Sequence, residues 1–225
     1  ASEAQFSAWR GLSVMQRTSV LRQMLAQLDD VPMLLEFADD LERTLGVCRQ
    51  QLMNIEKHLK TPRVLPGPTG ERNVLQYEPR GVLVCLADKE VSFEYWALSL
   101  VTALGTGNMV ISVVSDEFYA PAQAFAQKLA KTGRSSDIFQ IARLHHVQAL
   151  LTDARLAGVI IDSQSMRSGV ISSMLAAREG AILTVITAEY NDTLLQRTVT
   201  EKTISIDTTA SGGNTSLMTL VDSDD

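Results

Sequence analysis

Positive charge is sparse and scattered. The 20 Lys and Arg are outnumbered by 26 Asp and Glu, which leaves the 225-residue chain at −6, and nowhere do basic residues cluster as binding to nucleic acid or anionic lipid requires. Neither ligand is expected. Long apolar runs are missing too: those present, such as residues 109–114, are strand-sized, far below the roughly 20 residues that span a bilayer, so no membrane insertion is expected. Cysteine is reduced to Cys48 and Cys85, both among apolar neighbours, which suits buried, reduced thiols in a cytoplasmic protein. A glycine-rich phosphate loop is also lacking. The one GxG, Gly105-Thr106-Gly107, follows a helical pattern and precedes a strand-like run, the reverse of the phosphate-loop order, and reads as a helix stop. His145-His146 has no third ligand at useful spacing, and adjacent side chains diverge on a helix or strand, so no metal site is expected. The chain opens at Ala1 without a basic-then-apolar leader, so no export signal is expected; trimming, or excision from something longer, would account for the missing Met.

What is present is periodic. Val14, Leu21, Leu25 and Leu28 recur at helical spacing, and Cys48, Leu52, Ile55 and Leu59 repeat the pattern; Pro32 suits a first helical turn and Gly46 a helix end. The stretch 61–70 then breaks all periodicity with prolines and glycines, and a subdomain boundary is expected there. Beyond it, strand-like runs at 82–86, 109–114, 139–142, 159–161 and 182–186 alternate with helical segments at 93–104, 121–131 and 174–178. Buried β-branched runs alternating with amphipathic helices imply an α/β fold: a Rossmann-like, mostly parallel sheet with helices on both faces. Residues 202–207 alternate polar with apolar, 211–214 form a turn, and 215–220 return, which predicts a C-terminal β-hairpin flap. The expected division is an N-terminal helical segment at 1–62, the Rossmann-like body at 63–198 and the flap and tail at 199–225.

No catalytic site stands out. In the first strand-to-helix junction, where such a fold presents glycines and free amides to a pyrophosphate, stand Asp88-Lys89-Glu90-Val91-Ser92, whose two carboxylates repel phosphate. Cys48 and Cys85 lack a neighbouring His and read as core thiols. Asp39, Asp40, Glu36 and Glu42 read as a solvated helix face. Residues 65–73 read as a structural connector. Leu217, Met218 and Leu220 are expected as exposed apolar residues on the projecting hairpin, whose unpaired edge invites another strand or a partner surface.

Tyr77-Glu78-Pro79-Arg80-Gly81-Val82 and the string ALGTGNMV at 103–110 resemble the opening of the cofactor-binding domain of the aldehyde dehydrogenase superfamily, and Gln5 to Arg22 resembles its N-terminal helices. LPGPTGERN at 65–73, with DTTASGGNTSLMTL at 207–220, resembles the C-terminal region of the bacterial bifunctional proline utilization A family, flavin- and NAD-dependent enzymes that oxidise proline to glutamate in two steps. The superfamily's contacts are replaced. Its Pro-Trp-Asn oxyanion turn falls on Asp88-Lys89-Glu90, and a carboxylate cannot stabilise an oxyanion. Its Lys-Pro-Ser-Glu falls on Val113-Val114-Ser115-Asp116, its Gly-Ser-Thr turn on Ser163-Gln164-Ser165, and its Glu-Leu-Gly-Gly base motif on Ile186-Thr187-Ala188-Glu189. The superfamily places the domain bearing its nucleophilic Cys after this point, where in this sequence Asn191 leads almost directly to the expected hairpin.

The resemblance implies a non-catalytic domain, without catalytic, cofactor-binding or metal-binding residues of its own, in a parent enzyme that uses FAD and NAD. It implies packing on the aldehyde dehydrogenase domain of the same or a neighbouring polypeptide, where it helps enclose the space through which the semialdehyde intermediate passes. The docking flap is expected at Asp207, Thr208, Thr209, Gly212, Gly213, Asn214 and Leu217. Two alternatives stay open: a free-standing NAD- or nucleotide-binding oxidoreductase-like module using backbone amides alone, and a homodimer paired through the hairpin about a two-fold axis.

Overall fold

The computed structural model describes residues 3–133, 136–187 and 192–207. In chain order come α1 (Glu3–Arg10), α2 (Val14–Leu25), α3 (Pro32–Phe37), α4 (Leu41–Leu59), β1 (Arg63–Leu65), β2 (Glu71–Pro79) and β3 (Val82–Ala87). There follow α5 (Phe93–Gly105), β4 (Met109–Val114), α6 (Asp116–Ala130), β5 (Phe139–Arg143), α7 (Val147–Leu151) and β6 (Leu156–Ile161). The last described elements are α8 (Ser168–Ala176), β7 (Thr184–Thr187), α9 (Asp192–Arg197) and β8 (Val199–Asp207). These form two compact units, the larger within residues 1–60 and 78–200 and the smaller within 61–77 and 201–225.

In the larger unit five strands run parallel in the order β5-β4-β3-β6-β7. Strand alternation sorts their side chains onto two faces. Leu83, Cys85 and Ala87 join one core with α2, α4, α5, α6 and α9, whereas Val84 and Leu86 join another with Leu151 of α7 and Ile171 and Leu175 of α8. The sheet is thus covered on both sides, as the apolar runs required. Helix α5 is buried at every residue but Glu94, the signature of a helix without a solvent face. Its Trp96 indole donates to Ser112 Oγ of β4 at 2.7 Å and packs edge-on against Phe125 of α6.

The N-terminal helices follow local signals. Ser13 and Gln16 form a reciprocal capping box at the start of α2, satisfying two otherwise orphaned amides. Pro32 opens α3 at its first turn, as predicted. Gly46 does not end a helix: α4 runs through it, and the break lies earlier, where Ala38 closes α3 and Asp40 caps α4 by accepting the Arg43 amide at 2.8 Å. The cap and the apolar stripe from Leu41 to Ile55 outweigh one glycine's entropic cost. Helix α6 likewise starts ahead of Pro121, because Asp116 and Glu117 occupy its first turn, where the helix dipole favours carboxylates. Strand β7 starts after Ile182, which is 98% exposed.

Gly105-Thr106-Gly107 is the predicted helix stop. Thr106 is the C-cap of α5 and Gly107 sits at φ +95°, a conformation that disfavours a side chain. Asn108 then ties three segments together. Its buried amide nitrogen donates to Ala103 O, Thr106 Oγ1 and Thr198 O at 3.2, 2.9 and 2.8 Å, and its oxygen accepts the Gly81 amide at 3.0 Å.

In the smaller unit β1 pairs antiparallel with β2, Arg63 opposite Leu75 and Leu65 opposite Asn73. The connector between them turns at Gly70, φ +91°, with the Glu71 amide donating to Pro68 O at 3.1 Å. The sheet order is β1-β2-β8. Strand β8 covers the predicted 202–207 run and is largely exposed; the expected return strand at 215–220 lies outside the described residues.

This packing is open to measurement at three points. A Cβ at Gly46 meets nothing within 4 Å, so Gly46→Ala should raise unfolding free energy by about 0.5–1 kcal/mol in urea titration. Asn108→Ala takes the side-chain partner from the Gly81 amide and the Thr198 carbonyl, whereas Ala103 O keeps the Asn108 amide and the Thr106 hydroxyl, and should cost about 2–3 kcal/mol by the same measurement. Burial pushes the Cys48 thiol up to about 12 and Cys85 further in the same direction; neither should react with a disulfide reagent at pH 8 in the native chain, and both should react in denaturant.

Candidate functional site

In an open α/β sheet, ligands bind outside the carboxyl ends of the strands where the strand order reverses. Here that point lies between β3, which continues outward through β4 to β5, and β6, which continues to β7. The turns after β3, β4 and β6 meet around a cavity of about 450 Å³. Four carboxylates line it, Asp88, Glu90, Asp116 and Glu117, against two cations, Lys89 and Arg167. A carboxylate about 6 Å from a phosphate charge costs about 3 kcal/mol at an effective dielectric of about 20. The lining therefore opposes a pyrophosphate.

The predicted Asp88-Lys89-Glu90 turn and the Ser163-Gln164-Ser165 turn are brought together. Ser165 Oγ donates to Asp88 Oδ2 at 2.5 Å and accepts the Arg167 amide at 3.2 Å. Asp88 Oδ1 accepts the Glu90 amide at 3.2 Å, and Glu90 Oε2 accepts the Met166 amide at 3.2 Å. Asp88 and Ser165 are each 3% exposed. Tyr95 of α5, which the reading of the residues did not single out, adds a tie by donating to Ile161 O at the end of β6, 3.0 Å. Nothing in its sequence position distinguishes it from a core aromatic.

The other candidates fall as follows. Ser115 stands at the N-cap position of α6, but its buried Oγ has no hydrogen-bond partner among the described residues. Asp116 is paired with Arg143, whose guanidinium also lies 3.7 Å over the Tyr119 ring. His145 and His146 do not diverge: a tight turn of 3₁₀ helix brings their ring centroids within 4.0 Å at a tilt of 49°. No group of three metal-ligating side chains occurs among the described residues. Ile186 and Thr187 lie in β7, while Ala188, Glu189 and the flap residues Thr208, Thr209, Gly212, Gly213, Asn214 and Leu217 are outside the described residues; Asp207 ends β8 and is exposed.

A second cavity, about 670 Å³, lies at the amino ends of β3, β4 and β6. Helix α7, five residues long, is too short to cover strands of this length. Arg80 and Asp153 there are committed. Arg80 Nε donates to Arg197 O at 2.6 Å, and Asp153 is clasped by Arg155, whose hydrogen bonds draw its carboxyl down to about 2.

No family model matches the sequence. The chain is 34% identical over 165 residues to the bifunctional protein PutA of Escherichia coli, covering 71% of this chain and 11% of that protein. It is 36% identical over 164 residues to the bifunctional protein PutA of Salmonella typhimurium, with the same coverage. The chain thus spans about a tenth of these curated relatives, 11% in each. A solved proline utilization A structure with proline bound in remote sites superposes with a TM-score of 0.73 at 22% identity, covering 82% of this chain and 20% of that one. PnpE, solved with nicotinamide adenine dinucleotide, superposes at 0.66 and 16% identity over 82% of this chain and 41% of its own. No helix among the described residues is long and apolar enough to cross a membrane. The chain is homologous over 71% of its length to part of the bifunctional PutA proteins and shares an aldehyde-dehydrogenase-like fold with the solved chains.

Proposed function

We propose that this chain is a non-catalytic domain of a bifunctional proline-catabolic enzyme, one that covers the enzyme's aldehyde dehydrogenase domain and helps enclose the cavity through which the semialdehyde intermediate passes. The observation that carries this reading is the crevice between β3 and β6. It keeps the architecture of a dinucleotide site while facing it with Asp88, Glu90, Asp116 and Glu117. A retained scaffold with reversed electrostatics fits selection for shape over cofactor chemistry. In this reading FAD and NAD belong to other domains of the parent, and this domain binds neither. Docking runs through the flap, with Asp207, Thr208, Thr209, Gly212, Gly213, Asn214 and Leu217 presented to the aldehyde dehydrogenase domain of the same or a neighbouring polypeptide.

Removing residues 211–225 from the complete enzyme should slow semialdehyde oxidation, or release intermediate to a trapping reagent such as o-aminobenzaldehyde, while leaving flavin-dependent proline oxidation near its original rate. Unchanged coupled turnover and unchanged trapping would sink the covering role. Calorimetric titration of this chain with NAD checks the other half of the reading: saturable micromolar binding would restore a nucleotide-binding module.

A further inference from the structure

We propose that the crevice carries its own anion: Asp88 and Glu90 latch onto the donors ahead of α8, so that the chain itself fills the contacts a ligand phosphate would need. The inference concerns this chain alone and holds whether or not another domain covers it.

Two backbone donors at the β6–α8 turn are taken from inside. The Met166 amide goes to Glu90 Oε2, and the Arg167 amide to Ser165 Oγ, which in turn donates to Asp88. Asp88 also accepts the Glu90 amide and so aims the second carboxylate. The arrangement is a relay with a buried centre and an exposed end: Asp88 and Ser165 are buried, while Glu90 is exposed. Hydrogen bonds to ionised carboxylates are about twice as strong as neutral ones. A buried carboxylate also persists only where donors satisfy it, which explains why Asp88 and Ser165 sit together at the ends of strands adjacent in the sheet but 77 residues apart in sequence.

The relay has two consequences. It bridges the ends of β3 and β6 across the crevice, the span that a bound dinucleotide would cross. It also places negative charge where incoming phosphate charge would sit, so the same groups that hold the turn repel the ligand. Lys89 and Arg167 remain in the lining, and once the latch carboxylates are neutralised these two cations favour an anion.

Inorganic pyrophosphate is the probe, titrated calorimetrically into the unaltered chain, Glu90→Gln and Asp88→Asn/Glu90→Gln. Each neutralised carboxylate should tighten pyrophosphate binding about a hundredfold. Glu90 is exposed, so its variant provides a folded sample even if the double variant does not fold. Hydrogen exchange supplies an independent reading: Glu90→Ala should speed exchange of the Met166 amide about tenfold while leaving amides in β4 unchanged. Equal pyrophosphate affinity in the unaltered chain and the folded variants, or unaltered exchange at Met166, overturns the latch. Neither result bears on flap docking, which is read from coupled turnover in the complete enzyme.

Discussion

The larger unit is organised around one helix that has no side for water. Helix α5 is walled by the sheet and by α2 and α4, and its buried carboxyl end leaves carbonyls that need partners. The N-terminal helices supply them. Trp9 Nε1 donates to Leu104 O at 3.1 Å, and Arg17 Nε to Gly105 O at 3.1 Å. Burial lowers the Arg17 guanidinium to about 10, yet it stays cationic at any ordinary pH, and a cation at the carboxyl end of a helix complements the dipole. Gly107 is glycine for two reasons, its positive φ and the Arg17 guanidinium 3.2 Å from where a Cβ would stand. The segment at 1–60 is therefore the cover of α5, sharing a core with the sheet.

The same economy of buried polar groups governs both ends of the sheet. At the amino end of β3, Asn108 satisfies Gly81, Ala103 and Thr198 with one side chain. At the carboxyl end, Asp88 and Ser165 satisfy each other and the turn ahead of α8. One arrangement of strands and helices can hold a cofactor or hold itself, depending on whether the donors at the switch point face outward or are consumed internally. In this chain the Met166 and Arg167 amides are consumed.

Much of this was legible. The apolar runs at 82–86 and 109–114 became β3 and β4 with almost the predicted ends, because parallel strands buried on both faces read as continuous apolar stretches. The reversed order of Gly105-Thr106-Gly107 told a helix stop from a phosphate loop. The misses were at positions where one local preference competed with another: Gly46 against a capped, striped helix, Pro121 against an acidic first turn, and His145-His146 against a 3₁₀ turn that brings neighbouring rings into contact.

Residue order alone establishes the period of most elements, the carboxylates in the first βα turn and the lack of clustered positive charge, since each is a property of neighbours along the chain. It takes the folded arrangement to bring Asp88 to Ser165, Tyr95 to Ile161 and Arg17 to the end of α5. Those contacts join residues 66 to 88 positions apart, and a hydrogen bond at that separation depends on strand order and helix packing rather than on local spacing. The acidic turn was visible as a string of residues; its closure onto the turn ahead of α8 follows only from the parallel alignment of β3 with β6.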